Sequence, residues 1–194
     1  MILGYETTKS EDFLMMRKLF AAGAAAIALL GGGCIFGTND YVANTEFDLA
    51  LPKNVPGCSV RMGVFKNLSG SDQRFMMRRG DGQVSSLEYL RWRMSPELLL
   101  QRCVYGAFSV VEGDNGVPLL NATVYCFEFD EREKTAHLAA DFDLLDFSGV
   151  CRTVRVDVAV PVKPAADPGA ARAAAMSECA RQAVEKLAGA LKRK

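Results

Sequence analysis

Three successive segments in the second half of the chain alternate apolar and polar residues, and this pattern constrains the fold more than any other feature. The clearest segment runs from Thr153 to Val160, where every second residue is valine. Residues 121–130 and 137–146 alternate in the same way, and short polar stretches connect the three segments. Strict alternation predicts half-buried strands, and short connections predict that they form an antiparallel meander.

The alternation also predicts which side chains face the interior. In 137–146 it assigns the inner face to Leu138, Ala140, Phe142 and Leu144, with Asp141 and Asp143 opposite. In 121–130 it places one set of side chains on one face (Thr123, Tyr125, Phe127, Phe129) and a second set on the other (Ala122, Val124, Cys126, Glu128). Residues 58–65 predict a further strand, with Val60, Met62 and Val64 on one face.

A hairpin and two helices complete the predicted fold. Residues 74–79 and 83–88 flank Gly80-Asp81-Gly82, a glycine-rich connection typical of a tight hairpin. Ser95-Pro96-Glu97 predicts a helix start, with Ser95 as the cap, and the helix should end between 105 and 108. Residues 169–194 form an alanine-rich amphipathic pattern. We therefore predict an α/β two-layer sandwich: a mostly antiparallel mixed sheet with both helices on one face.

The segment 15–34 resembles a bacterial lipoprotein signal. Arg17 and Lys18 precede twelve apolar residues, 19–30, which are fewer than the roughly 20 that a membrane-spanning helix needs. Three glycines then lead to Cys34, which the resemblance implies is acylated after cleavage. The usual branched residue three positions before the cysteine is displaced here by one. An uncleaved membrane anchor and ordinary secretion are the alternatives.

The predicted organisation follows from this signal. Residues 1–14 carry acidic side chains that do not suit an export leader, so we interpret them as a mis-assigned start. Residues 15–33 are the signal peptide, and 34–56 are interrupted by Gly, Asn and Pro, which predicts a tether. Residues 57–194 are then one domain, a size sufficient for a hydrophobic core.

Composition argues against several classes of function. The 23 basic and 23 acidic residues balance, so no broad positive field favours nucleic acid. Six cysteines and one histidine show no Cys-x-x-Cys spacing, so we expect no metal site and no cofactor. Several cysteines are expected to be buried free thiols. His137 has no evident serine or acid partner, and we expect no catalytic residues.

The stretch 74–92, followed by Ser95-Pro96, combines the turn residues Arg79 and Gly80 with the aromatic residues Tyr89 and Trp92 just before the first helix. This motif and the order of the elements resemble the ABC-type transport auxiliary lipoprotein family, in which these four residues stand at characteristic positions. The resemblance extends to the signal, the strand trio and the closing helix. It implies a lipid-anchored, periplasm-facing protein of the outer membrane. Its partner would be the periplasm-spanning MCE-domain protein of an ABC-type lipid transport system, and a homo-oligomer is left open.

The candidate partner-binding residues lie on and next to the hairpin: Arg78, Arg79, Asp81, Tyr89 and Trp92. Arginine and aromatic residues contribute much of the binding energy in protein interfaces. The alternative for Trp92 and Tyr89 is that they fill the gap between the sheet and the first helix.

Two other functions stay open. A periplasmic lipid carrier would need a cavity lined by Phe127, Phe129, Phe142 and Leu144. A hydrolase would depend on His137 or Asp141, although Asp141 and Asp143 are better explained as the solvated face of the sheet.

Overall fold

A computed structural model describes residues 43–113 and 116–192 of the chain. These residues belong to one folded unit. The predicted start artefact 1–14, the predicted signal 15–33 and Cys34 lie outside the described residues. In chain order the elements are β1 (Thr45–Phe47), β2 (Ser59–Asn67), β3 (Arg74–Arg78), β4 (Val84–Trp92), α1 (Pro96–Ala107), β5 (Ser109–Val110), β6 (Leu119–Asp130), β7 (Thr135–Leu145), β8 (Cys151–Pro161) and α2 (Pro168–Lys192).

The eight strands form one mixed sheet around the long strand β6. On one side β6 pairs antiparallel with β7, which pairs antiparallel with β8, as the meander prediction required. On the other side β6 pairs in parallel with β2 along its first part and with β3 at its end. Strands β2 and β3 therefore follow one another along the same edge of β6. Strand β5 pairs in parallel with β2, and β4 pairs antiparallel with β3.

Both helices cover one face of this sheet, so the predicted two-layer α/β sandwich is confirmed. Helix α1 buries Leu99, Leu100, Cys103 and Val104, as expected from its sequence. Helix α2 contacts β7 and β8 and buries an apolar stripe of Met176, Ala180, Ala183 and Leu187. The inner face of β7 is also as predicted: Leu138, Ala140, Phe142 and Leu144 are all buried.

Irregular pairing in two strands changes the predicted faces. The register between β6 and β7 shifts between Val124 and Cys126, so Val124 and Phe127 point to the same side. Tyr125, predicted to share a face with Phe127, is exposed instead. A second shift, between Met62 and Phe65 of β2, leaves Val64 exposed rather than inward. A bulge adds one unpaired residue, and alternation along a single strand gives no sign of it.

The described part of the predicted tether, residues 43–56, packs against the domain. It contains β1, which pairs in parallel with β4, and Leu49, which is buried in the core. Asp48 forms a two-pronged ion pair with Arg102 of α1. The folded domain therefore begins earlier in the chain than the sequence pattern indicated.

Helix α1 starts where the sequence predicted, but its cap differs from the prediction. The Ser95 side chain makes no capping hydrogen bond to the backbone. Its hydroxyl donates instead to Glu97 Oε1 at 2.5 Å, while the Ser95 carbonyl accepts the first helical hydrogen bond from Leu99 N–H. Pro96 stands at the start of the helix, where a missing N–H has no cost.

Candidate docking surface

The β3–β4 hairpin ends in a tightly bonded turn that exposes two opposite charges. Gly82 N–H donates to Arg79 O at 2.9 Å, and Arg79 N–H donates to Gln83 O at 2.8 Å. Gly82 has φ +84°, a left-handed conformation that glycine adopts without strain. Asp81 Oδ1 accepts the N–H of Gln83 at 2.9 Å. The predicted hairpin is therefore present, and its tip holds Arg79 and Asp81 in solvent.

Arg78 sits one residue below this turn and is tied to the sheet. Its Nε lies 2.5 Å from Glu128 Oε1 on β6, and its Nη1 reaches Gly82 O at 3.5 Å. The neighbouring carboxylate raises the pKa of the Arg78 guanidinium above its ordinary value. Because 43% of its side chain is exposed, Arg78 can contact a partner, but its charge is already shared with Glu128. We therefore expect it chiefly to fix the hairpin on β6.

Tyr89 is exposed because the ladder between β3 and β4 is irregular around it. Arg74 pairs with Arg91 and Met76 pairs with Ser86, so β4 advances five residues while β3 advances two. Tyr89 lies in this longer stretch of β4, and 47% of the residue is exposed. It is an aromatic side chain available at the surface of the hairpin.

Trp92 is a core residue, which corrects its prediction as part of an exposed docking surface. Only 1% of it is exposed. Its ring lies 4.1 Å from the ring of Phe75 and 5.2 Å from that of Phe127, centroid to centroid. Phe75 belongs to β3 and Trp92 to β4, so aromatic packing in the core anchors both strands of the hairpin. The alternative prediction placed Trp92 in the gap between the sheet and the first helix, and its burial agrees with an interior position.

The outer face of the sheet carries paired charges. Asp141, expected to be a solvated residue, is only 7% exposed and accepts two hydrogen bonds from Arg155, at 2.9 and 2.8 Å. The Arg155 guanidinium holds the pKa of Asp141 below its ordinary value. Asp143 accepts a hydrogen bond from Thr153 Oγ1 at 2.5 Å. Asp141 and Asp143 thus have separate cross-strand partners.

His137 has two partners that the sequence did not reveal. Its Nε2 lies 2.7 Å from Asp157 Oδ1, and its Nδ1 lies 3.4 Å from Cys126 Sγ. Glu128 completes the group. Burial is the main cause that raises the pKa of the Cys126 thiol to about 12, which does not favour a nucleophilic thiolate. No sequence signal could have joined these residues, because the β6 bulge turns Cys126 and Glu128 to the outer face.

The four residues expected to line a carrier cavity are packed in the core. Phe127, Phe129, Phe142 and Leu144 are each at most 3% exposed. An open groove of about 350 Å³ beside the start of α2 is lined partly by Phe129 and Met77, with Lys134, Lys163 and Arg172 among its charged residues. Phe127, Phe142 and Leu144 do not line it, but Leu144 contributes to the wall of a second open groove of about 570 Å³. In the described ranges, no helix combines the length and apolar character needed to cross a membrane.

Comparisons with known proteins show the fold. No family model matches the chain, and no curated protein matches it. The crystal structure of protein XCC0632 from Xanthomonas campestris, described with the family model DUF330, is 20% identical. Its match covers 75% of this chain and 93% of that chain, with a TM-score of 0.59. A second crystal structure, of an uncharacterized protein, is 11% identical with a TM-score of 0.61, over 77% of this chain and 99% of that one.

Proposed function

We propose that this protein is a lipid-anchored accessory subunit of an ABC/MCE-type lipid transport system. In this proposal the acylated Cys34 holds the domain at the periplasmic face of the outer membrane. The β3–β4 hairpin then docks the periplasm-spanning MCE-domain protein. The proposal rests on the motif resemblance in 74–92 and on one structural observation: an exposed Arg79–Asp81 turn on a hairpin whose base is fixed in the core.

The rigidity of the hairpin favours a role in binding. Binding costs less conformational entropy when the surface that the partner contacts is already ordered. Here the turn is closed by backbone hydrogen bonds, Arg78 is tied to Glu128, and the arms are held by Phe75 and Trp92. Arg79, Asp81 and Tyr89 are therefore presented in a fixed arrangement, and we propose these three as the main contacts.

An acyl anchor makes a modest docking affinity sufficient. Each buried acyl methylene contributes about 0.8 kcal/mol, and stable anchoring needs more than one chain. Anchoring restricts the domain to a thin layer beside the membrane, which raises its effective concentration for a partner that reaches the same layer. Replacing Cys34 with serine should therefore release the protein from the membrane without unfolding it, which membrane fractionation measures.

Affinity between the full-length protein and the MCE-domain protein from the same genome tests the docking role. The double variant Arg79→Ala/Asp81→Ala should bind at least tenfold more weakly, because loss of a hot-spot residue costs about 2 kcal/mol or more. The matched control is Arg181→Ala/Glu185→Ala, which removes an exposed pair of the same charges from α2. Equal binding by both double variants would refute the hairpin as the docking site.

A lipid carrier remains the alternative function. Open grooves of about 350 Å³ near Phe129, about 570 Å³ beside Leu144 and about 610 Å³ beside Val160 fall within the roughly 300–1,000 Å³ typical of ligand pockets. A carrier should retain lipid through purification in stoichiometric amount, and mass spectrometry of extracts of the purified domain would detect it. The docking role predicts no stoichiometric lipid beyond the acyl chains on Cys34.

A further inference from the structure

The cluster of Cys126, Glu128 and His137 lies on the outer face of the sheet, away from the helix layer. Cys126 and Glu128 are two residues apart on β6, and His137 stands directly opposite Glu128 on β7. The shift in register after Val124 is what brings them together. Without the extra residue, Cys126 and Glu128 would share the inward face of Val124. Bulges frequently re-aim side chains at functional sites.

The separation between the sulfur and nitrogen ligand atoms fits a small tetrahedral cation, and the Glu128 carboxylate lies nearby. Sulfur and imidazole nitrogen bind zinc at about 2.3 and 2.0–2.1 Å, which puts them about 3.5 Å apart on a tetrahedron. Cys126 Sγ and His137 Nδ1 are 3.4 Å apart. All three ligand atoms lie within 4.8 Å of one another, so the Glu128 carboxylate needs to move on the order of 1 Å to complete the same geometry.

The second nitrogen of His137 is held in the way that metal-binding histidines usually require. Nε2 is 2.7 Å from Asp157 Oδ1, so the ring donates its Nε2–H to that carboxylate and leaves the Nδ1 lone pair directed towards Cys126. This hydrogen bond fixes both the tautomer and the orientation of the ring. Asp157, on β8, is thus a positioning residue for His137, the proposed ligand on β7.

The charges around the cluster balance when a divalent cation is added. When a metal binds, the Cys126 thiol releases its proton to solvent and becomes a thiolate. The thiolate, Glu128 and Asp157 then supply three negative charges, and Arg78 supplies one positive charge through its ion pair with Glu128. A cation of charge +2 brings the group to neutrality. Glu128 Oε1 accepts the hydrogen bond from Arg78 Nε, and the second carboxylate oxygen is left to bind a cation. Arg78 and the metal therefore need not compete for the same atom.

We propose that Cys126, Glu128 and His137 form a binding site for a zinc-type divalent cation, with Asp157 orienting His137. A mixed set of sulfur, nitrogen and oxygen ligands favours zinc over calcium or magnesium, which prefer oxygen alone. Three protein ligands leave the fourth tetrahedral position for water or an external ligand. His137 is about one-third exposed, so that position can face solvent.

Metal binding by the full-length protein, purified without a histidine tag, tests this site. After incubation with zinc and removal of the excess, elemental analysis should find one zinc per chain. Cobalt(II) should give the near-ultraviolet absorption that marks a thiolate bound to cobalt, together with visible bands of tetrahedral intensity. A cobalt complex without thiolate absorption would overturn the proposal, whatever the zinc content.

Three variants separate this site from adventitious binding. Cys126→Ser should abolish the thiolate band, whereas Cys151→Ser, which removes an exposed cysteine at the start of β8, should leave it unchanged. Asp157→Asn should weaken zinc binding about 10–100-fold while preserving the thiolate band. Circular dichroism checks that each variant is folded. Loss of the band in Cys151→Ser but not in Cys126→Ser would place the metal elsewhere and refute the site.

Discussion

Replacing Trp92 with alanine should destabilise the domain severely, because this side chain fills the space between the hairpin and the strand β6. Trp92 is 1% exposed and packs against Phe75, Phe127 and Phe129, whose ring centroids lie 4.1, 5.2 and 6.3 Å away. Truncating a buried tryptophan to alanine typically costs about 3–5 kcal/mol, from lost apolar burial and the cavity left behind.

That cost translates into a large thermal shift. For a domain of about 150 residues, 1 kcal/mol moves Tm by roughly 2–4 °C, so the Trp92→Ala variant should melt roughly 6–20 °C lower. Differential scanning calorimetry or circular dichroism measures the shift. Since small domains are stable by about 5–15 kcal/mol, the variant should still fold at low temperature.

Trp92→Phe should be much less damaging than its loss of volume suggests. In the described part of the chain, Trp92 Nε1 is buried without a hydrogen-bond partner. An unsatisfied buried N–H costs about 1–3 kcal/mol. Phenylalanine lacks this N–H group but keeps an aromatic ring in the cluster. The Tm loss should therefore be less than half that of the alanine variant.

Tyr89→Ala supplies the contrast, because Tyr89 is 47% exposed and should alter stability by no more than about 0.5 kcal/mol. A Trp92→Ala protein that melts within 2 °C of the parent would refute the core placement of Trp92. A Tyr89→Ala protein that loses as much stability as Trp92→Ala would refute the distinction between the two aromatic residues.

Three further changes test other parts of the fold. Gly63→Ala should lower the free energy of unfolding in urea by about 1–3 kcal/mol, because the added Cβ would overlap Asn121 Oδ1 and lie 3.0 Å from Leu120 O. The control Gly189→Ala places its Cβ in open space on α2 and should be neutral or stabilising. The pKa of Asp141 is lowered in the folded state, so its pairing with Arg155 stabilises the fold at pH values above the ordinary carboxyl pKa. This stabilisation is lost as the pH falls through the folded-state pKa, and Asp141→Asn should therefore make the loss of stability at low pH less steep. Asp48→Ala should speed proteolysis within 43–56, because it removes the ion pair with Arg102, and unchanged cleavage would contradict the packing of that segment.

The strands and helices that the sequence predicted best are those whose pattern is regular. Strands β7 and β8 alternate without interruption, and α2 keeps one apolar stripe over 25 residues. Strand β1 was missed because it has only three residues and depends on a parallel partner far along the chain. Such pairing is a tertiary contact, which local periodicity does not encode.

The candidate site was less predictable than the fold for the same reason. Alternation along β6 could not reveal the bulge that exposes Tyr125 and moves Cys126 to the outer face. The hairpin turn was predictable from Gly80-Asp81-Gly82, since glycine and aspartate favour its backbone conformations. The exposure of Tyr89 and the burial of Trp92 were not predictable from the sequence. Both are aromatic residues near the end of one strand, and their burial depends on the irregular β3–β4 ladder.

Photo-crosslinking in native membranes gives the most direct test of hairpin docking. A photoreactive residue replaces Tyr89 in one protein and Tyr105 in another; both tyrosines are about half exposed, but Tyr105 lies on α1 in the helix layer. Docking through the hairpin predicts an adduct with the MCE-domain protein, identified by mass spectrometry, from position 89 and not from 105. No adduct from 89, or equal adducts from both positions, would contradict it.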